Sequence, residues 1–199
     1  MASPNPDYSH YAPLQSISER AQGENQRRIL CGLDSCLYQE AKIKDSAIIS
    51  LYGYWNQKRQ NGGNPKFETF VPKNDLAQPI SRWISFVDMS EDYPPNFVVS
   101  DHIGFALGDF SGKRLIEHDS RAHACATVAE YQTMKSFPQP MAHVIDQRIS
   151  TSLGVLDRSY LRLMLPLESS NPSEFRIVYA MRYLRMPSST ADSARKFVR

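Results

Sequence analysis

Two strand-like segments that flank one polar turn near the end of the chain most constrain the fold. Residues 160–167 carry leucine at every second position, and residues 175–183 carry a large apolar or aromatic side chain at every second position, from Phe175 to Tyr183. The residues between them, 168–174, are rich in Ser, Asn and Pro, which favour turns. Alternation on both sides of such a turn predicts an antiparallel hairpin with one buried face, so Leu163 and Leu165 should point inward.

The same alternation assigns the side chains that lie between the leucines. Arg162 falls on the opposite side of the strand from Leu163, so we expect its guanidinium to face solvent or a carboxylate near the strand of Arg182. Truncation of Arg162 should then cost well under about 1 kcal/mol, as the loss of an exposed ion pair usually does. Leu163→Ala should cost about 2–5 kcal/mol, as large-to-small changes in a core do.

Length, charge and cysteine content limit the classes of protein that remain. A chain of 199 residues suits one domain, and a net charge of +2 does not favour nucleic acid or an anionic membrane as partner. The three cysteines are few and scattered, which is not a disulfide framework and favours a reducing compartment. The chain has no leader-like apolar start and no run near the roughly 18 apolar residues of a membrane span. We therefore expect a cytoplasmic protein without membrane insertion.

The distribution of polar residues predicts one domain between two tails. Residues 1–38 are polar with little periodicity and read as an N-terminal tail, residues 39–185 form the domain, and residues 186–199 form a C-terminal tail. The domain opens with an amphipathic helix. Its apolar stripe follows the i, i+3, i+4, i+7 spacing and consists of Ile48, Leu51, Tyr52 and Trp55.

This stripe needs a cover, because exposed aromatic surface is costly in water. The outer face of the last strand offers a seat at Val178 and Ala180, which are small and apolar. We predict that the stripe packs on the sheet or against a second copy of the chain, and that it contributes to a homodimer interface.

Further segments complete the order of elements. Residues 80–89, 96–103 and 141–150 have strand character, and residues 118–136 have helical character. Together with the hairpin, they predict an α+β fold: a five-stranded antiparallel sheet with helices on one face and an additional N-terminal amphipathic helix. On the helix 118–136, residues that can share one broad face are Ala122, Cys125, Ala126, Ala129 and Met134.

Several sequence motifs occur in a fixed order along this framework. They are Leu51-x-x-Tyr54-Trp55-x-x-x-Arg59, Asp75-Leu76-x-x-Pro79-Ile80, Phe86-Val87-Asp88, Gly108-Asp-Phe-Ser-Gly112-Lys-x-Leu115 and Tyr160-Leu-x-Leu-x-Leu-Pro166-Leu167. Their order and spacing, over roughly residues 40–185, resemble PAS domains, and in particular the bacterial single-domain PAS-like family. The resemblance implies a half-barrel sheet that encloses a small apolar pocket. It also implies a stand-alone sensory or interaction module, which binds a small molecule or a signalling protein and relays a conformational change by contact.

The alternation and the helix faces then suggest which side chains would line such a pocket. The candidates are Trp83, Phe105, Leu107, Cys125, Ala129, Leu163 and Ile177. Cys125 lacks the sequence block that flavin-binding relatives place around their cysteine, so a small buried cysteine is the simpler interpretation. His118 and His123 are five residues apart, a poor spacing for a metal pair, and His123 is better read as a surface or cap histidine than as a haem ligand. We expect no cofactor and no metal.

Catalytic motifs are not visible in the sequence, so we predict that the chain is not an enzyme. One alternative binding function remains open. Arg158-x-x-x-Arg162 imitates the arginine pair of the PilZ barrel, which binds cyclic dinucleotides, and guanidinium groups suit phosphates and guanine edges. The companion motif departs from that family, because Arg176 stands where a glycine belongs. A ligand-free adaptor is the second alternative.

Overall fold

An eight-stranded antiparallel sheet organises the described part of the chain in the computed structural model. The described residues are 13–21, 24–59, 62–89, 98–101, 103–104, 108–109, 112–115, 120–151 and 154–189. The strands are β1 (Pro13–Ala21), β2 (Glu24–Cys31), β3 (Ile84–Asp88), β4 (Val98–Asp101), β7 (Lys113–Arg114), β8 (Met141–Thr151), β9 (Gly154–Glu168) and β10 (Phe175–Ser189), with a separate ribbon of β5 (Ile103–Gly104) and β6 (Gly108–Asp109). Their order across the sheet is β1-β2-β8-β9-β10-β3-β4-β7.

Five α-helices in the described part of the chain accompany the sheet. They are α1 (Leu33–Glu40), α2 (Ala47–Lys58), the short α3 (Pro72–Asp75) and α4 (Gln78–Ser81), and α5 (Arg121–Ser136), the longest in the described part of the chain. Ser46 precedes α2 and accepts a hydrogen bond from the Ile49 amide at 3.4 Å, and Ser120 does the same for His123 at 3.2 Å. Both serines therefore cap helix N-termini, which fixes where α2 and α5 begin. No helix in the described ranges combines the length and apolar character that crossing a membrane requires.

The α+β class and the five predicted antiparallel strands are confirmed. The five form one continuous block, β8-β9-β10-β3-β4, in which the final hairpin lies at the centre. The structure adds β1 and β2 on one side of that block and β7 on the other. The sheet is thus wider than the sequence predicted, and helices pack on it as expected.

The predicted N-terminal tail is wrong for the residues that form β2 and α1. Glu24–Cys31 pairs along β8, from Asn25 opposite Arg148 to Cys31 opposite Ala142. The alternation of apolar residues is weak there, because one face of β2 carries the buried polar side chains of Gln26 and Arg28. A strand whose buried face is charged does not stand out by hydrophobic pattern, which explains the error.

Helices α1 and α2 cover one face of the sheet. Ile48, Leu51 and Trp55 are buried on α2, and Tyr52 is half-buried. They belong to one apolar cluster with the β9 leucines Leu161, Leu163, Leu165 and Leu167 and with Val178 and Ala180 of β10. The Trp55 indole also donates to the Pro166 carbonyl oxygen at 2.9 Å. The burial of Leu163 and Leu165 and the seat of the stripe at Val178 and Ala180 are confirmed, but the leucines share a face with that seat and do not lie on the opposite one.

The stripe on α2 is therefore covered by the sheet of its own chain. Burial of this kind stabilises a helix far more than intrinsic propensity does. The contact that the structure shows for Ile48, Leu51, Tyr52 and Trp55 is a helix–sheet contact within one molecule, and the homodimer stays a prediction.

Helix α5 lies on the opposite face of the same strands. Met164, Ile177 and Tyr179 alternate with the residues that face α2, and they pack with Tyr131 and Met134 of α5. Successive side chains of a strand point to opposite faces, so the two helices sandwich the sheet. The additional N-terminal helix and α5 thus occupy different faces.

The predicted face of α5 is right for Ala126 and Met134 and wrong for Cys125 and Ala129. Cys125 and Ala129 are exposed, whereas the helix buries the side chains of His123, Ala124, Ala126, Thr127, Glu130, Tyr131 and Met134. The sequence analysis assigned the polar side chains of α5 to solvent. The face that it predicted to be buried is therefore displaced around the helix from the face that packs on the sheet. The helix turns toward the sheet a stripe that is polar in its first half and apolar in its second.

Candidate functional site

Four ionisable side chains meet between α5 and the sheet, with almost no exposure to solvent. Glu130 comes from α5, Arg28 from β2, His143 from β8 and Arg162 from β9; none is more than 5% exposed. We call these four residues the buried charge cluster. Charged groups are rarely buried unless they are paired, so their arrangement is the most unusual feature of the described structure.

Glu130 is the centre of the cluster. Its Oε2 accepts hydrogen bonds from Arg28 Nη1, at 2.6 Å, and from Arg162 Nη2. His143 lies opposite the other carboxylate oxygen, with 3.8 Å between Nε2 and Oε1. One helical carboxylate therefore connects α5 to strands β2, β8 and β9 at the same point.

Arg28 extends the network along α5. Its Nη2 lies 2.8 Å from Nδ1 of His123 and 2.9 Å from Oγ1 of Thr127, and its Nε lies 3.3 Å from Oε1 of Gln26. These contacts show that reading His123 as a surface or cap histidine was wrong, because its ring is 6% exposed and faces an arginine. His118 lies outside the described residues.

Arg162 was expected to face solvent, and this expectation is wrong. Its side chain is 4% exposed and pairs with Glu130, and its guanidinium lies 5.7 Å from the centre of the Tyr131 ring. The alternation of β9 was read correctly, since Arg162 does lie opposite Leu163. The error arose because the second face of the strand is covered by α5 and is not open to water.

Arg158 lies on the same face of β9 and is also buried. Its guanidinium is 4.9 Å from the centre of the Tyr160 ring. The Gln147 amide satisfies two neighbours when its oxygen faces Arg158 and its nitrogen donates to His123 Nδ1 at 2.9 Å. Both arginines of the Arg158-x-x-x-Arg162 pair are therefore engaged by partners inside the protein.

The arginines keep Glu130 ionised. Burial alone would raise the pKa of Glu130, but the nearby Arg162 and Arg28, with His143, outweigh it and lower the pKa to about 2. For His143, burial and the same two arginines outweigh the attraction of Glu130 and lower the pKa to about 4. At neutral pH the cluster thus holds two guanidinium cations, one carboxylate and a neutral imidazole.

Some hydrogen-bonding capacity of the cluster is unmet. Glu130 Oε1, His143 Nδ1 and Arg162 Nε are buried, and within the described part of the chain none of them has a hydrogen-bond partner. Buried polar atoms without partners are uncommon and costly, and they are often served by a bound water or a ligand. The cluster is thus a strong, incompletely satisfied electrostatic contact between α5 and the sheet.

Acid should weaken this contact, since both folded-state pKa values lie below the ordinary ones of 6.5 for His143 and 4.5 for Glu130. The unfolded chain then binds protons more readily, so the stabilisation is complete above about pH 6.5 and is lost as the pH falls. We expect the free energy of unfolding, from urea titrations, to drop by roughly 3 kcal/mol between pH 7 and pH 4, mostly through His143. An equal drop in His143→Gln would contradict this assignment.

The residues predicted to line an apolar pocket are not brought together. Leu163 is buried on the α2 face, Ile177 is buried on the α5 face, and Cys125 and Ala129 are exposed. Trp83 is half-buried, with its ring centre 5.9 Å from that of Tyr183. Phe105 and Leu107 lie outside the described residues. The described members therefore do not line one cavity, because strand alternation separates Leu163 from Ile177 and α5 turns the other two outward.

Comparison with known proteins finds no match to this chain among family models, curated proteins or solved structures. Within the described ranges, no three His, Cys, Asp or Glu side chains are close enough together to hold a metal ion. Inferences about function therefore depend on the geometry of the chain itself.

Proposed function

We propose that this chain is a stand-alone sensory or interaction module of the PAS type, which binds a small molecule or a protein partner and relays a conformational change without catalysis. The α+β architecture supports this proposal, since α5 comes from the segment between the second and third predicted strands and lies across the five-strand block. The PAS resemblance rests on that order of elements and on the sequence motifs.

The observation that carries the proposal is the attachment of α5 through Glu130. Besides the apolar contacts of α5, Glu130 fixes the helix relative to Arg28 and Arg162 on two separate strands. Breaking a buried ion pair is costly, so the helix has one strongly preferred position while the pairs are intact. A ligand or partner that competes for these charges would favour a different packing of α5.

Buried polar atoms of the cluster that lack a hydrogen-bond partner favour such competition. A polar ligand that approached Glu130 Oε1, His143 Nδ1 or Arg162 Nε would gain hydrogen bonds that the described residues do not supply. The exposed side of α5, which includes Cys125 and Ala129, would then carry the change to a partner. In this proposal α5 is both the lid of the site and the element that reports its state.

The experiment follows hydrogen exchange along α5. The full-length protein is mixed with the low-molecular-weight fraction of a bacterial cell extract, and retained molecules are identified by native mass spectrometry. We expect a retained species to change the exchange of the α5 amides, and we expect Glu130→Gln to abolish that change. Exchange in α5 that is the same with and without the fraction would overturn the proposed relay and favour the ligand-free adaptor.

The cyclic-dinucleotide alternative is less well supported by the geometry. Arg158 and Arg162 are 4% and 3% exposed and already have internal partners, so a dinucleotide could reach them only if α5 moved away. Calorimetry with cyclic di-GMP provides a direct test, in which we expect no heat of binding. Tight binding that Arg162→Ala abolishes would replace the sensory proposal with the dinucleotide one.

A further inference from the structure

A polar groove lies on the sheet face opposite the buried charge cluster. It has a volume of about 370 Å³, and it is lined by Asn25, Arg27, Asp146, Gln147, Arg148, Asp157 and Arg185. Asp146 is two residues from Val144 on β8, and Val144 belongs to the apolar cluster under α1 and α2. Since residues two apart on a strand share a face, the groove continues the sheet surface beyond that cluster. Its size falls within the range of small-molecule sites.

A β-bulge directs Arg185 into this groove. Tyr183 faces the α5 side of the sheet, where its ring packs near Tyr160. Regular alternation would place Arg185 on the same side, but the register of β10 against β9 shifts between these two residues. The shift brings the Arg185 guanidinium to Asp146, at 3.1 Å, and to Asp157, at 2.6 Å, on the other face. Bulges commonly redirect a side chain next to a functional site.

The groove has an excess of positive charge. Three arginines and two aspartates line it, which gives 3 − 2 = +1. Both aspartates are engaged by the same guanidinium nitrogen, Nη2 of Arg185. Arg148 is exposed and forms no ion pair with any residue that the structure describes, while Arg185 Nε is buried with no hydrogen-bond partner there. One cation and one buried donor are thus left for a ligand.

We propose that this groove binds a small polar molecule through an oxyanion group, either a carboxylate or a phosphate. Arg148 supplies the principal charge-assisted hydrogen bonds, and the Asn25 amide beside it, directly opposite in the β2–β8 register, supplies a further donor. The paired aspartates hold Arg185 in place and repel a second anionic group. The site therefore favours small anions of low charge over polyanions.

This inference goes beyond the proposed function, because it assigns a second ligand site, with a ligand class of its own, on the sheet face opposite α5. The groove is distinct from the buried charge cluster, since the two lie on opposite faces of β8. Glu130 and Arg148 can therefore be tested independently.

The test is calorimetric titration of the full-length protein at low salt with three probes: inorganic phosphate, glycerol 3-phosphate and succinate. We expect at least one probe to bind, and comparison of the phosphates with succinate shows which oxyanion the groove prefers. Arg148→Gln should weaken binding at least about tenfold, the usual effect of losing a charge-assisted hydrogen bond. Asp157→Asn should strengthen it, because it removes a competing negative charge from the groove.

The matched control is Arg121→Gln, because Arg121 is an exposed arginine at the start of α5, outside the groove. This variant should bind the probes within about twofold of the wild type. The inference is overturned if no probe binds at 10 mM, a concentration at which even weak (~mM) sites are filled, or if Arg148→Gln binds as well as Arg121→Gln. The two proposals fail separately. Probe binding that depends on Arg148 supports the groove whether or not the exchange of the α5 amides changes, because the extract and Glu130→Gln test the relay. A response of α5 to the extract without probe binding supports the relay and overturns the groove.

Discussion

Replacing Glu130 by Gln should destabilise the protein by about 3–5 kcal/mol, the usual cost of breaking a buried ion pair by removing one partner. The change leaves Arg28 and Arg162 facing each other without the carboxylate that both contact. The measurement is the free energy of unfolding from urea titrations at pH 7. We expect Arg162→Met to cost less than Glu130→Gln, because Glu130 keeps Arg28 as its partner in that variant.

A matched control separates loss of the cluster from loss of a negative charge. Asp34→Asn removes an exposed carboxylate from the first turn of α1 and should change stability by no more than about 1 kcal/mol. If Glu130→Gln were as mild as Asp34→Asn, the cluster would not hold α5 to the sheet, and the main support for the proposed relay would fail.

The contrast between Glu130 and the β9 leucines shows what the sequence could predict. Strands β8, β9, β10, β3 and β4 and the α2 stripe have periodic apolar residues, so their positions follow from pattern alone. The inward faces of Leu163 and Leu165 follow from the same rule. These features depend on neighbours within a few residues, which sequence analysis treats well.

The buried charge cluster depends on distant neighbours instead. Arg28 and Glu130 are 102 positions apart, and no local pattern links them. A weaker signal does exist, because His123, Thr127, Glu130 and Met134 are spaced by four, three and four residues, which is the repeat of one helix face. Polar residues at that spacing usually indicate a solvated face. Only the packing of α5 on charged strands shows that this one is buried.

Coverage of both sheet faces explains the remaining errors. Arg162 was assigned to solvent and the region around β2 to a tail because one face of each strand carries polar side chains. A strand buried on two sides usually reads as a continuous apolar run. Here the second face carries polar side chains that pair with α5. The residues that position α5 are therefore the ones that a hydrophobic pattern assigns to solvent.

Leu163→Ala should cost about 2–5 kcal/mol, because it removes a fully buried side chain from the cluster between β9 and α2 and leaves a cavity. Chemical denaturation at pH 7 measures the loss, and Tyr38→Ala is the control, since Tyr38 is 65% exposed. The cost should be the same at pH 5. The only titratable side chains in that apolar cluster are cysteines and tyrosines, which lose their protons well above pH 7. The cost of Glu130→Gln should instead shrink as the pH falls below about 4.5, because the unfolded wild type then gains a proton at Glu130 that the folded protein does not bind. A Leu163→Ala variant as stable as Tyr38→Ala would contradict the helix–sheet packing on which the fold depends.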